Sequence, residues 1–258
     1  MSALFDLSGK TALITGASKG MGLSMATALA EHGANVVISS RKQNELDAAA
    51  AKINDDIGRN CATGIASNIG DKTMVKDLVA QTKDKVGPID VLVGNAGVNV
   101  HYGSTHEIPD EAYEKIMSAN VQSQLWLARE AHGQMVVQGG GSMMFTSSVG
   151  AFHASDAIGT YCVSKLALMG VIRNLATEYG PQGIRVNGIN PAVIKTDFAK
   201  ALWDNPKAAK QEARIPLGRF GEPDDLKGLA VFLGSDASRY ITGQAHTVCG
   251  GSCMWSGG

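Results

Sequence analysis

No stretch of this chain reaches the roughly 18 uninterrupted apolar residues that a membrane-crossing helix requires, which removes a helical span from consideration. Met1 to Gly9 contain Asp6 and lack a basic segment ahead of a long apolar one, so no secretory leader is read there and a cytoplasmic location is expected. Excess charge is missing too. Lys and Arg number 23 against 24 Asp and Glu, a net charge of −1, which leaves no broad attraction to nucleic acid or to an anionic membrane. Cysteine is sparse: Cys61, Cys162, Cys249 and Cys253 do not suggest a disulfide framework, and buried free thiols are the default for such a chain. Cys249 and Cys253 stand too far apart for a zinc knuckle, no second such pair exists, and His101 and His106 fall in a polar loop, so no metal is expected. Internal repeats, low-complexity runs and breaks in composition are absent as well, and 1–258 reads as a single domain.

What remains is an ordinary globular composition, 44% apolar and 18% charged, carrying a regular alternation of short apolar runs and helix-like segments. Strands are expected at Lys10–Thr15, Asn35–Ser40, Asn60–Ala66, Ile89–Gly94, Ser142–Ser147, Ile184–Asn190 and Ala245–Val248. Helices are expected between them, including one long helix after Pro109-Asp110 and one from Tyr161 to Tyr179, with an irregular stretch at about 191–216. That alternation argues for an α/β fold with a parallel sheet wound on both faces. The tail from Gly250 to Gly258 is glycine-rich, and Trp255 within it suggests packing against another surface.

Three places carry chemistry. The first is Gly16-Ala17-Ser18-Lys19-Gly20-Met21-Gly22 between a strand and a helix, where backbone N–H groups and a helix N-terminus can meet a pyrophosphate. The second is the end of the second strand, where dinucleotide folds commonly place an acid on the adenosine ribose. Ser39, Ser40 and Arg41 occupy it here, and the nearest acid, Glu45, is already within the next helix. A guanidinium beside a hydroxyl suits a 2′-phosphate, and Lys19 offers a second positive charge, so NADP(H) is the expected cofactor. The third is Tyr161-Cys162-Val163-Ser164-Lys165, with Ser148 ahead of it at the end of an apolar run. Tyr161 and Lys165 share a helix face at i,i+4, and an ammonium beside a phenol favours its ionisation, which makes Tyr161 a candidate general acid/base.

Thr15-Gly16-x-x-x-Gly20-x-Gly22, Asn95-Ala96-Gly97, Ser148, Tyr161-x-x-x-Lys165 and Asn190-Pro191, in that order over nearly the whole chain, resemble the short-chain dehydrogenase/reductase family. Ser40-Arg41-Lys42-Gln43 and Ile194-Lys195-Thr196-Asp197-Phe198 look like its NADPH-dependent carbonyl reductase branch. The resemblance implies a single-domain Rossmann fold with a doubly wound, seven-stranded parallel sheet, a nicotinamide cofactor, catalysis without metal, and a homotetramer built from the long helices after strands four and five. It implies that Asn120 holds a relay water, Ser148 polarises the carbonyl, Tyr161 is the acid/base, and Lys165 binds ribose and lowers the tyrosine pKa. By the same resemblance the cofactor lies along Gly16, Ser18, Lys19, Gly20, Met21 and Gly22, then Ser40 and Arg41, Asn68 and Ile69, and Asn95 to Gly97. It also meets Tyr161 and Lys165, and finally Pro191, Ile194 and Thr196.

Four positions depart from the family pattern: Gly94 replaces the first asparagine of Asn-Asn-Ala-Gly, Asn68 an aspartate at the adenine edge, Ala192 a glycine, and Cys249 an aspartate before paired glycines. The function implied is hydride transfer between NADP(H) and a small-molecule ketone or secondary alcohol. A 3-oxoacyl-[acyl-carrier-protein] reductase is the alternative, and a nucleotide-sensing protein without turnover is a third reading. Phe198, Leu202 and Trp203, in a substrate-side loop at about 192–216, and His153 are the substrate candidates.

Overall fold

The computed structural model describes residues 3–253 of the chain, so the packing expected of Trp255 lies outside the described residues. Seven strands form one parallel sheet: β1 (Thr11–Thr15), β2 (Asn35–Ser40), β3 (Ala62–Ala66), β4 (Val91–Gly94), β5 (Gly141–Thr146), β6 (Ile184–Pro191) and β7 (Ala245–Val248). The helices are α1 (Gly20–Glu31), α2 (Gln43–Ile57), α3 (Lys72–Lys85), α4 (Asp110–Met117), α5 (Ser123–Val137), α6 (Gly159–Tyr179), α7 (Lys200–Trp203), α8 (Ala208–Glu212) and α9 (Lys227–Gly234). The spatial strand order is β3-β2-β1-β4-β5-β6-β7. Order reverses between β1 and β4, and a crevice opens there at the carboxyl ends of the strands, where open α/β sheets bind ligands.

Central strands bury both faces, which is why they read as continuous apolar runs. Every residue of β1 is buried, and the alternation survives beneath that: Ala12 and Ile14 join the layer under α1, α2 and α9, while Leu13 joins the layer under α3, α5 and α6. Helix ends follow their local chemistry. The Asp71 carboxylate caps α3 by accepting from the Thr73 and Met74 N–H groups at 2.8 and 3.1 Å.

Three differences from the sequence reading have a visible local cause. β3 and β4 begin at Ala62 and Val91. Just ahead of each, a side chain shares the backbone with the neighbouring strand: Cys61 N–H donates to Asn54 at 2.8 Å while its carbonyl accepts Val36 N–H at 2.7 Å, and Ile89 N–H donates to Gln134 at 3.1 Å while Asp90 N–H reaches Thr11 O at 2.9 Å. The long helix after Asp110 is interrupted by a π-helical segment, Ser118–Gln122, in which Ser123 N–H reaches back to Ser118 O. The stretch expected to be irregular contains α7 and α8, and Lys195, paired with Glu212 and Glu222 at 3.5 and 3.6 Å, ties it down.

Candidate active site

A cavity of about 1090 Å³ opens at the carboxyl ends of the strands. Every residue assigned above to the cofactor lines it except Gly22, which lies beneath. Gly16 and Gly20 take φ of +63° and +61°, conformations that favour glycine, at the turn from β1 into α1. A Cβ on Gly22 would meet Gly16 O, Asn95 Nδ2 and Ala17 Cα, so this glycine is what lets α1 approach the sheet. Asn95 fixes the crevice: its amide donates to Thr15 O and Gly16 O at 3.1 Å each, and its carbonyl accepts from the Thr146 hydroxyl at 3.1 Å. One side chain thereby joins the ends of β1, β4 and β5. The N-terminus of α1 has no side-chain cap, and its free N–H groups face this crevice, as an anion site requires.

At the far end of the cavity the Ser40 hydroxyl is buried without a partner, beside exposed Arg41. Lys19 and Lys42 are paired with Asp197 and Glu45 at 2.6 and 2.7 Å, whereas Arg41 forms no such pair among the described residues. The structure adds what sequence order concealed: Glu45, though inside α2, lies near Ser18 and Lys19. Hydrogen bonding to Lys42 is the main reason its carboxyl is held below the usual glutamate value. Asn68 turns its side-chain oxygen onto Gly70 N–H at 3.1 Å, leaving its NH₂ group for a ligand. The unpartnered serine hydroxyl, the uncapped helix and the Cβ-free turn fit a phosphorylated dinucleotide.

The chemistry-bearing side chains meet in the middle of the cavity. Ser148, just past the end of β5, accepts Gly150 N–H at 3.0 Å and lines the cavity with Tyr161 from α6, whose phenol its hydroxyl influences. Lys165 lies one turn along, its Nζ 5.4 Å from the Tyr161 ring centre and donating to Thr146 O at 2.8 Å. Burial outweighs the easing of ionisation expected of this ammonium. Burial dominates at both groups, pushing Tyr161 well above its ordinary value against the opposing influence of the Ser148 hydroxyl, and Lys165 down to about 8. Tyr161 is therefore a neutral phenol, equipped to give a proton.

Asn120 lies in the π-helical segment, a distortion common at functional sites, and is wholly buried. Both hydrogens of its amide are used, on Val98 O at 2.9 Å and Ser164 Oγ at 3.0 Å, and its carbonyl accepts Val98 N–H at 2.7 Å. The side chain props the loop after β4, so a relay water would have to be held largely by backbone at this residue. On the substrate side, Phe198 lies 6.3 Å from Tyr161 between ring centres, and His153 and Leu202 line the cavity. Trp203 does not: its indole N–H is tied to Thr196 O at 2.9 Å, which turns the ring into the base of the loop, so its assignment to the substrate is corrected. Asn99, whose side-chain oxygen is buried and unpartnered, and Tyr102 also line the cavity. No motif marked either one, since the fold alone carries the loop after β4 over the pocket.

Sequence comparison matches residues 16–252 to a family model described as Enoyl-(Acyl carrier protein) reductase. The chain is 38% identical over 247 residues to Dehydrogenase/reductase SDR family member 4 of Caenorhabditis elegans, covering 94% of this chain and 95% of that protein. The chain belongs to the short-chain dehydrogenase/reductase family. Among solved structures, a family member from Mycobacterium marinum superposes with a TM-score of 0.91 at 36% identity, covering 96% of this chain and 97% of that one. A gluconate 5-dehydrogenase from Burkholderia cenocepacia in complex with NADP and tartrate superposes with a TM-score of 0.93 at 30% identity, covering 98% of each chain.

As a short-chain dehydrogenase/reductase, this protein is an oxidoreductase with a nicotinamide-binding fold, and its departures from the family pattern have local causes. A side chain at Gly94 would strike Phe145 and Gln124, and Gln124 instead donates to Ala96 O at 2.8 Å. Ala192 needs no glycine, because no described residue other than glycine takes a positive φ. No helix among the described residues is long and apolar enough to cross a membrane.

Proposed function

We propose that the protein is an NADP(H)-dependent carbonyl reductase, reversibly interconverting a ketone and a secondary alcohol. The convergence of Ser148, Tyr161 and Lys165 on one cavity beside the uncapped end of α1 carries this reading. When bound, NADP(H) supplies or accepts the hydride. Gly16, Gly20 and the α1 N-terminus hold the pyrophosphate, Ser40 and Arg41 the 2′-phosphate, and Lys165 the ribose. In the reduction direction the Ser148 hydroxyl and the Tyr161 phenol both donate to the substrate oxygen, stabilising the negative charge that develops there. Tyr161 then gives up its proton, and the Lys165 ammonium stabilises the phenolate left behind. Asn120 keeps the loop over the site in place. Phe198, Leu202 and His153 form the substrate wall. The enzyme works as a cytoplasmic homotetramer.

A panel of ketones and 3-oxoacyl thioesters, followed by nicotinamide absorbance with NADPH and NADH, tests the assignment. Turnover of ketones with NADPH is expected. Turnover confined to acyl thioesters would transfer the assignment to 3-oxoacyl-[acyl-carrier-protein] reduction, and no turnover of either class would overturn it. Arg41→Asp tests the cofactor separately. Losing a charge-assisted bond to a 2′-phosphate costs about 1.5–3 kcal/mol, so kcat/KM for NADPH should fall at least about tenfold while that for NADH holds or rises. An unchanged ratio between the two cofactors would reject the NADP(H) preference.

A further inference from the structure

β5 ends at Thr146, and the chain leaves the sheet through Ser147 and Ser148. Ser147 still belongs to the ladder, its N–H donating to Ile189 O of β6 at 2.7 Å. Beyond it the backbone of β6 has nothing to donate, because Pro191 lacks an N–H. A side chain takes over. Asn190 reaches across from β6, and its Nδ2 donates to Ser148 O at 3.1 Å. The same carbonyl accepts Ala151 N–H at 3.0 Å, and Ser148 Oγ accepts Gly150 N–H at 3.0 Å. The serine thus heads a short turn, and Asn190 fastens that turn to β6.

Asn190 is fully buried, and its Oδ1 has no hydrogen-bond partner among the described residues. That oxygen lies beside Gly188, where an added Cβ would come within 3.2 Å of it. An unpaired buried acceptor costs stability, and native structures hold few of them. Leucine has nearly the same shape and no polar atom, so burial alone would favour it here. Half of the amide therefore works against the fold, and the half in use is spent on a residue of the candidate active site. Asn190 itself does not line the cavity, whereas Ser148 and Pro191 do. Whatever it contributes to the chemistry passes through another residue.

We propose that Asn190 is a positioning residue, which by holding the Ser148 carbonyl against β6 fixes where the Ser148 hydroxyl meets a substrate oxygen. The inference rests on the carbonyl-polarising role assigned above to Ser148. With Gly150 N–H on one lone pair of the hydroxyl and the backbone held by Asn190, the serine hydrogen is left for the cavity that Tyr161 also lines. A donor fixed before charge develops needs no reorganisation as the reaction proceeds. A serine released from β6 would spend part of its time away from that geometry, and turnover would fall while cofactor binding stayed level.

The test compares Asn190→Leu with the wild-type chain in two ways. Hydrogen–deuterium exchange reads the turn without any substrate: amides from Ser148 to Phe152 are expected to exchange at least about fivefold faster in the variant, with those of β1 and α1 unchanged. Kinetics reads the consequence, with NADPH and the ketone that the wild type reduces fastest. Expected are a fall in kcat of at least about tenfold, a level NADPH Kd and a Tm equal or higher. In a Ser148→Ala background the same substitution should change kcat less than about twofold, since the group through which Asn190 acts is gone. Asn190→Ala removes the donor without adding bulk and should show the same split, which covers the case in which leucine does not fit. Unchanged exchange over residues 148–152 in an active enzyme overturns the inference alone, as does an equal fall in kcat in both Ser148 backgrounds or a loss that tracks a weaker NADPH Kd. A wild type that reduces no carbonyl overturns the reductase reading, and the inference with it.

Discussion

Tyr161 and Lys165 show how a spacing legible in sequence acquires its chemistry from burial. Tyr161→Phe keeps the ring and removes the phenolic proton, so kcat should fall at least about a hundredfold while the NADPH Kd, read by fluorescence titration, stays nearly level. Retained turnover would remove Tyr161 from the mechanism. Lys165 illustrates the cost of such a site, because its charge is buried and its ordinary value of 10.5 falls to about 8. A lowered lysine value means that the folded state releases its proton first. The penalty is complete below pH 8, and stability rises with pH from about 8 to 10.5, where the unfolded chain still binds the proton. Lys165→Met should therefore unfold at higher denaturant at pH 7, by on the order of 3 kcal/mol, and be inactive. The difference between the two denaturation curves should close as pH climbs through that window. A difference that does not change with pH would show that Lys165 enters the fold without an electrostatic penalty.

At the scale of elements, the turn from β1 into α1 and the π-helical break do the positioning. Close approach of α1 to the sheet depends on Gly22, where a single methyl would strike Gly16 O and Asn95 Nδ2. Gly22→Ala should cost about 1–3 kcal/mol by overpacking, and since the displaced atoms shape the crevice, the NADPH Kd should rise as well. Calorimetry and titration together check this: a lower Tm with an unchanged Kd would mean that the helix shifts without disturbing the turn. The π-helical segment had no such signature. Its sequence, Ser118-Ala119-Asn120-Val121-Gln122, continues a helical pattern, and the segment is tied to other elements by Asn120 reaching Val98 and Ser164.

At the scale of the whole molecule, α6 turns Lys165 and Ser164 inward and leaves Val163 and Leu166 48% and 54% exposed on its outer face. Tyr113 on α4 and Val136 and Val137 on α5 are exposed as well, and these are the helices on which a homotetramer was expected. Leu166→Glu places a charge on that face and should shift sedimentation from tetramer toward smaller species without unfolding the protein. A monomeric wild type would end that proposal. The sequence by itself determined the order of strands and helices, the glycine turn and the Tyr161–Lys165 face, because a burial pattern of period two or 3.6 and a motif within a few residues are local properties. It also placed Ser148 and Asn95 correctly at strand ends, since an apolar run stops where its strand leaves the core. Only the tertiary structure decided which distant groups meet: Glu45 with Ser18, Lys19 with Asp197, Asn99 and Tyr102 over the cavity, and Trp203 turned away from it. It likewise decided the protonation of Tyr161 and Lys165. A pKa depends on the solvent displaced by every element packed around a group, and no spacing along the chain records that.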